Sequence, residues 1–265
     1  IVSSKPQTTR NRITGILTEG EDQYVFMDTP GLHKPRTRLG DYMVKTVRGT
    51  LGDVDAAILV VEAGAPITEV EENLIRRFRQ DELPALLVIN KIDRSNPAHI
   101  AETIARYADQ YDFASVIPIS AVREQGIDIV KKEAAAFLHE SEFCFPEDII
   151  TDQPERQIAA EMIREKLLRC LEQEIPHGTA VVIEAFEESS KLIKIRAEIF
   201  CERETHKRII IGNKGETLKK IGTYAREDME KFFGVKVFLD LWVKVKENWR
   251  DSVTAVNHFG YRKDD

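Results

Sequence analysis

Apolar and polar positions alternate with two different periods along residues 1–143. Short continuous apolar runs predict buried strands, and longer segments with an apolar position every three or four residues predict helices. Strands and helices in this order are typical of an α/β domain with a mostly parallel sheet and helices on both faces. The predicted strands are residues 12–19, 23–28, 55–61, 85–90 and 116–119, and the predicted helices are residues 42–51, 68–79, 98–109 and 127–139.

The pattern changes after residues 144–154, which contain two prolines and several acidic residues and are interpreted as a linker. From residue 155 the order is helix, strand, strand, helix, helix, strand, which is one compact α+β unit. We therefore predict two domains, residues 1–143 and 155–265. The second has predicted helices at 155–174, 207–211 and 216–233 and predicted strands at 179–186, 191–201 and 235–245, followed by a short tail.

Composition is that of a globular protein, with 42% hydrophobic and 31% charged residues in a chain of 265. No apolar run reaches the roughly 18 residues of a membrane-spanning helix. Three widely separated cysteines without metal-ligand spacing indicate reduced thiols in a cytosolic protein. The net charge of −7 argues against a nucleic-acid partner, but residues 203–220 contain six Lys/Arg and only two acidic residues. We expect an acidic protein with one basic face.

The sequence Asp28-Thr29-Pro30-Gly31 directly follows a predicted strand, where open α/β sheets bind ligands. Asp28 can hold Mg²⁺ there through water, and the Gly31 amide can approach a terminal phosphate because no Cβ blocks it. A threonine in a loop upstream of the strand at 12–19 would be the usual Mg²⁺ ligand of a nucleotide switch. On their own, both features are equally consistent with ordinary polar loops.

Two further motifs follow predicted strands, Asn90-Lys91-Ile92-Asp93 and Ser120-Ala121. The Asp93 carboxylate can accept two hydrogen bonds from the N1–H and the exocyclic amine of guanine, whereas adenine offers no such pair of donors. Asn90 would connect neighbouring loops, and the stem of Lys91 would lie over the base. A backbone N–H of Ser120-Ala121 would donate to guanine O6. Three such motifs at successive strand ends predict a guanine-nucleotide site.

The second predicted domain contains the turn Gly212-Asn213-Lys214-Gly215 between two helices. Such a turn lets backbone amides and a helix N-terminus contact a nucleic-acid backbone without obstruction by side chains. Its position in an αββααβ unit favours this interpretation over a plain helix cap. Four basic residues flank the turn: Lys207, Arg208, Lys219 and Lys220. Four isoleucines could either line the groove for the bases or fill the core: Ile209, Ile210, Ile211 and Ile221.

Together these motifs resemble the Era family of bacterial GTPases over essentially the whole chain, including Gln7-Thr8-Thr9-Arg10, the run 206–215 and the run 241–246. The resemblance implies a Ras-like P-loop GTPase domain followed by a type II KH domain. It implies GTP/GDP and Mg²⁺ as cofactors, with Thr9 rather than Thr8 and Asp28 at the metal.

The resemblance also implies binding to the 3′ end of small-subunit ribosomal RNA in ribosome assembly. Ile211, the GxxG turn and its basic flank would contact that RNA. It further implies a mainly cytoplasmic protein that can associate peripherally with the inner membrane. We also expect a monomer.

Leu32 belongs to the implied nucleotide site. It occupies the position where Ras-like enzymes place a glutamine that orients the attacking water, so we expect slow hydrolysis. The water must then be positioned by the backbone, another side chain or a bound ion, and the catalytic residue stays unassigned.

One part of the family pattern is not found in these 265 residues: a phosphate-binding Gly-x-x-x-x-Gly-Lys-Ser/Thr loop. We expect that loop, with its strand and helix, upstream of Ile1. Two hypotheses follow. The first is a GTP-hydrolysing assembly switch, and the second is a non-enzymatic RNA-binding module with a degenerate GTPase domain.

Overall fold

The computed structural model describes residues 1–3, 5, 7–31 and 34–261. Their contacts group the chain into two compact units. The first unit combines segments from both ends of the chain, so the predicted domain boundaries differ from these units and stay a prediction. The first unit consists of Ile1–Ile16, Val25–Val47 and Ile149–Asp265, and the second of Leu17–Tyr24 and Arg48–Asp148.

A two-stranded sheet near the start of the chain contributes to both units. Its strands are β1, Ile13–Glu19, and β2, Asp22–Asp28. The tip of this hairpin belongs to the second unit, and the remainder belongs to the first. Both strands were predicted to within one residue at each end.

The second unit is built on the predicted parallel sheet, in the order β3-β4-β5. Its strands are Ala57–Glu62, Ala85–Asn90 and Ser115–Pro118, and its helices include α2, Glu69–Gln80, α3, Pro97–Ala108, and α4, Ile127–Ala134. All but the last residue of β4 are buried, because apolar clusters pack against both faces of the sheet. The predicted helix at 127–139 is too long, since α4 tightens into a 3₁₀ turn at Ala135–Phe137.

The first unit contains a three-stranded sheet in the order β6-β7-β8, with β6 and β7 antiparallel and β7 and β8 parallel. One face of the sheet is covered by three helices, around a core that includes Ile163, Ile195 and Ile221. The predicted order αββααβ is therefore confirmed. The strands are Ala180–Glu188, Leu192–Cys201 and Lys236–Val245, and the helices are α5, Glu155–Cys170, α6, Glu204–Ile211, and α7, Glu216–Phe233.

Helix α5 differs from its prediction in length, and it buries charged residues. It ends at Cys170 rather than at residue 174, and Arg164, Glu165 and Lys166 are as buried as its apolar residues. These charged side chains can be buried beside the apolar residues of the helix because they find partners inside the unit. Lys166 Nζ, for example, lies 2.6 Å from Glu165 Oε2 and also contacts Asp228.

Among the described residues, the second face of this sheet is covered at one end and open at the other. Phe200 on that end packs in a cluster with residues from α1, Arg38–Thr50, and from the C-terminal part of the chain, including Trp249, Phe259 and Tyr261. The predicted tail thus contains a further helix, α8, Val253–His258. At the other end of the same face, Phe238 and Trp242 of β8 are exposed.

Candidate functional site

Asn90 connects three loops at the end of the β3-β4-β5 sheet. Its side-chain oxygen accepts hydrogen bonds from the backbone N–H of Lys91 at 2.7 Å and from that of Ala121 at 3.0 Å. Its carbonyl accepts from the backbone N–H of Ala63 at 3.1 Å. The structure therefore brings the 90–93 and 120–121 segments together. The Ala121 N–H, one predicted donor to guanine O6, is used by Asn90.

Asp93 lies beside Ser120, whose Oγ donates a 2.6 Å hydrogen bond to Asp93 Oδ1. Ser120 is fully buried, so this donor has a fixed position. The hydrogen bond from Ser120 is the main cause that lowers the pKa of the Asp93 carboxyl below its usual value. Asp93 therefore remains an ionised acceptor at neutral pH, and its Oδ2 lies 3.8 Å from Arg94 Nε. This is the charge state that recognition of a guanine edge requires.

Lys91 adopts the left-handed backbone conformation, with φ 65° and ψ 32°, which is uncommon for a residue with a side chain. Its ammonium nitrogen lies 2.6 Å from Glu62 Oε2, and Glu62 is the register partner of Asn90 on β3. Sequence reasoning missed Glu62, although its place directly after the strand predicted at 55–61 was a usable signal. That the Lys91 stem covers a base stays a prediction.

Thr9 and Asp28 lie together in the first unit. Thr9 Oγ1 donates a 2.9 Å hydrogen bond to Asp28 Oδ2. The Thr8 hydroxyl is instead held locally, donating to the Lys5 carbonyl at 2.7 Å and lying 2.7 Å from Ser3 Oγ. A hydroxyl and a carboxylate are hard oxygen ligands of the kind that Mg²⁺ prefers. The pair fits a Mg²⁺ ion that takes its other ligands from phosphate and water, and in the described ranges no three His, Cys, Asp or Glu side chains group as metal ligands.

Gly31 follows Asp28 at the predicted phosphate position. An added Cβ would meet no atom within 4 Å, so packing within the protein does not require glycine there. A requirement for glycine would have to come from a ligand that approaches the backbone closely. Leu32, the next predicted site residue, lies outside the described residues.

The segment before β1 is anchored by two buried arginines that sequence reasoning did not single out as anchors. Arg10 donates to the carbonyls of Thr179, at 2.6 Å, and His177, at 2.9 Å. Its guanidinium also donates to Tyr261 Oη at 3.2 Å and lies 5.9 Å from the centre of that ring. Arg164 donates to the carbonyls of Gln7 and Thr8. Thr9 is therefore flanked on both sides by backbone that is held in place.

The turn between α6 and α7 has the geometry that its glycines predict. Gly212 has φ +76°, and a Cβ there would lie 2.3 Å from Thr217 Oγ1 and 2.8 Å from the Thr217 backbone nitrogen. Lys214 and Gly215 also have positive φ values, 48° and 84°. The Asn213 and Lys214 side chains are exposed.

The side chains that flank the turn differ in accessibility. Arg208, Lys219 and Lys220 are exposed, and Lys207 is half-buried. Some of the four isoleucines fill the core, and others are accessible beside the turn. Ile210 and Ile221 belong to the core, whereas Ile209 is half exposed and Ile211 is partly buried.

Comparison with known proteins agrees with these features. The family described as "KH domain" matches residues 174–250, and the family described as "50S ribosome-binding GTPase" matches residues 1–91. A "GTPase Era" of Thermoanaerobacter sp. (strain X514) is 44% identical over 266 residues, covering 100% of this chain and 88% of that protein. A "GTPase Era" of Ruminiclostridium cellulolyticum is 45% identical over 263 residues, covering 99% and 88%.

Two solved structures match nearly the whole chain at 35% identity, covering 99% of it and 90% of the other chain. One is the Y63A variant of Aquifex aeolicus Era bound to GDP·AlF₄⁻, with a TM-score of 0.92. The other is Era in complex with MgGDPNP and nucleotides 1506–1542 of 16S ribosomal RNA, with a TM-score of 0.91. The identity over the full chain, the two matching families and the shared fold lead to one conclusion: the chain belongs to the Era family of GTPases.

Proposed function

We propose that this protein is a GTP-binding and GTP-hydrolysing switch that binds the 3′ end of small-subunit ribosomal RNA and acts in assembly of the small ribosomal subunit. GTP and GDP are its nucleotides and Mg²⁺ is its metal. The main observation in support of nucleotide binding is the Asp93 carboxylate, which a hydrogen bond from buried Ser120 keeps ionised. It lies beside the loops that Asn90 connects. A degenerate GTPase domain would have no need to maintain this arrangement.

Guanine selectivity follows from the chemistry of Asp93. An ionised carboxylate accepts from two parallel N–H donors, and guanine presents such a pair whereas adenine presents none. The oxygen bonded to Ser120 keeps a second lone-pair direction for a base donor. Asn90 contributes indirectly, because it holds the two loops that carry Asp93 and Ala121 in one arrangement.

The phosphate end of the nucleotide would be served by Thr9, Asp28 and Gly31. When bound, Mg²⁺ neutralises charge that develops on the phosphates. Thr9 supplies a hydroxyl oxygen and Asp28 a carboxylate on the same small surface. Because Arg10 and Arg164 hold the backbone around Thr9, its hydroxyl is positioned before any ligand binds, which lowers the entropic cost of binding.

The RNA half of the proposal rests on the turn 212–215. Its exposed tip and positive-φ glycines let an RNA backbone approach the N-terminus of α7. Exposed Arg208, Lys219 and Lys220 add positive charge beside it. We propose the small subunit as the partner because the RNA bound in the related Era complex is 16S ribosomal RNA.

The nucleotide half is tested with Asp93→Asn in the full-length protein. Loss of a charged acceptor for two hydrogen bonds should weaken GTP binding by at least about 100-fold. Binding of xanthosine triphosphate should improve, because its 2-oxo group accepts from an amide. The matched control is Asp109→Asn, an exposed aspartate of the same unit. Unchanged GTP affinity of the Asp93 variant in a titration would remove residues 90–93 from the site and favour the non-enzymatic hypothesis.

The RNA half is tested with the double variant Asn213→Asp, Lys214→Asp in the full chain. Two carboxylates against the phosphate backbone should abolish most binding and flatten its salt dependence. The assay is fluorescence anisotropy with an oligonucleotide matching the 3′ end of small-subunit ribosomal RNA, at two salt concentrations. The control, Asn73→Asp with Arg76→Asp on exposed positions of α2, makes the same change in net charge. Equal loss of affinity in both double variants would show that the loss comes from net charge alone and that the turn 212–215 is not the RNA site.

Location and assembly state belong to the same proposal. We infer a cytoplasmic monomer that associates peripherally with the inner membrane, on the strength of the family resemblance. None of the helices within the described ranges is long and apolar enough to span a membrane. Sedimentation of the full-length protein should give a single monomeric species. Flotation with anionic lipid vesicles but not with neutral ones would support the peripheral association, and no flotation with either would contradict it.

A further inference from the structure

An exposed aromatic surface lies on the open end of the β6-β7-β8 sheet. Phe238 is 61% exposed and Trp242 is 58% exposed, and both face away from the helices. Lys194, Arg196 and Lys244 alternate with them on the same face of β7 and β8, because side chains on one face recur every second residue. We call these five residues the aromatic face.

The aromatic face is a candidate interaction site rather than ordinary surface. Large aromatic side chains contribute strongly to association when they are buried, and monomeric proteins seldom leave two of them on one open patch. The other end of this sheet face shows the usual solution, since Phe200 there is covered by Phe259 at a centroid distance of 4.5 Å. Nothing in the described part of the chain covers Phe238 and Trp242 to a similar extent.

Trp242 is held in a fixed orientation by the charged residues of the same face. Its indole Nε1 donates a 2.9 Å hydrogen bond to Asp240 Oδ2. Arg196 Nε lies 3.8 Å from the same carboxylate oxygen. A ring that is already oriented loses less conformational entropy on binding.

Two observations favour RNA over a protein as the occupant. The outward residues of β7 and β8 include four cations, Lys194, Arg196, Lys236 and Lys244, against two carboxylates that are both paired with cations. In addition, β8 is an edge strand of its sheet and packs against α6, the helix that leads into the turn 212–215. A strand of RNA held at that turn can therefore reach the aromatic face by crossing the edge of β8.

We propose that the aromatic face binds single-stranded RNA by stacking bases on Phe238 and Trp242, as an extension of the contact at the GxxG turn. The two rings are about 13 Å apart along the strand, so each would take a different base. Stacking on aromatic rings tolerates many sequences, since every base has a π-face. This inference rests on the proposed binding of RNA through residues 212–215.

Tryptophan emission provides a direct test, because the chain has two tryptophans in opposite environments. Trp242 is exposed, and Trp249 is fully buried with its Nε1 bonded to the Gly178 carbonyl at 2.9 Å. Titrating the full chain with an RNA of about ten nucleotides should quench emission and shield the exposed tryptophan from iodide. The same titration of Trp242→Phe, which retains an aromatic ring, should leave emission from Trp249 unchanged while binding persists. Binding without quenching in the wild-type chain would overturn the proposal.

Affinity for two lengths of RNA separates this inference from the proposed function. A GxxG turn clamps about four nucleotides. Trp242→Ala should weaken binding of the ten-nucleotide RNA at least about 5-fold, the factor that corresponds to about 1 kcal/mol per stacked base. It should leave binding of a four-nucleotide RNA unchanged. If wild type binds both RNAs through the GxxG turn and Trp242→Ala binds each of them as tightly as wild type does, the aromatic face is not an RNA site. A protein partner then becomes the better occupant. If wild type binds neither RNA, the proposed function itself fails and this inference fails with it.

Discussion

Replacing Arg10 with methionine tests whether the segment beside Thr9 is held by buried hydrogen bonds. Arg10 is 1% exposed and donates to two carbonyl groups in a region where Thr179 is fully buried and His177 nearly so. Methionine matches the apolar stem of arginine but ends at about the position of Nε and has no donor, so both carbonyls lose the hydrogen bonds from the guanidinium. We expect the first unit to lose stability and Thr9 to lose its fixed position.

The expected size of the effect follows from two opposing contributions. Each buried carbonyl left without a donor costs about 1–3 kcal/mol, which gives about 2–6 kcal/mol for the pair. Removing the buried guanidinium offsets part of this loss of stability, because burial disfavours the charged form of Arg10 and lowers its pKa. We expect a net loss of about 3 kcal/mol, which is about 6–12 °C in Tm for a unit of this size.

Trp249 is a suitable probe for the measurement because its ring stacks on Tyr261 at a centroid distance of 6.0 Å, next to Arg10. Thermal unfolding would be followed by its emission in a Trp242→Phe background. Arg36→Met, at an exposed position of the same unit, is the control and should shift Tm by less than about 2 °C. A Tm of the Arg10 variant equal to or above that of the parent would refute the reasoning. The stability gained by removing the buried charge would then exceed the stability lost by leaving two carbonyls without this donor.

Two further predictions concern the turn 212–215 and the cysteines. Gly212→Ala should destabilise the first unit by more than about 2 kcal/mol, because the added Cβ would clash with the backbone nitrogen of Thr217. Gly215→Ala should cost only about 1 kcal/mol, because an added Cβ there meets no atom within 4 Å. Comparable losses of Tm for the two variants would contradict this prediction. Burial raises the pKa of the Cys201 thiol to about 11, so it stays protonated and should resist labelling at pH 8, while exposed Cys144 should react quickly. Equal labelling rates in the folded protein, counted by mass spectrometry, would show that Cys201 is accessible.

Local signals were sufficient for the elements that have clear boundaries in the sequence. Helix α7 was predicted at 216–233 and forms there because Gly215 and Gly234 at its two ends adopt left-handed conformations. Strand β4 was predicted at 85–90 because its apolar run is continuous and ends at a polar residue. The motifs at 90–93 and 120–121 follow strands of one sheet, so their proximity could be predicted as well.

Contacts between distant parts of the chain could not be predicted from local pattern. Arg10 looks like one more polar loop residue, and its acceptor Thr179 is 169 positions away. Helix α5 shows the same limit, since charged Arg164 gives no local sign that it will be buried against Thr8. The closing residues had no predicted structure because Trp249, Phe259 and Tyr261 form a cluster only when α1 and the sheet are in place.

The interleaved composition of the first unit has a consequence for the timing of folding during synthesis. Arg10 bonds to Tyr261, 251 residues later, so the hydrogen bonds around it cannot be completed until Tyr261 has been made. At about 5–20 residues per second, the segment before β1 waits roughly 12–50 s for its partners. The second unit is built mostly from the continuous stretch Arg48–Asp148 and can fold during that interval. Arg10 therefore completes its contacts only after Tyr261 has been made, whereas the partners of Arg164, Gln7 and Thr8, precede it in the chain.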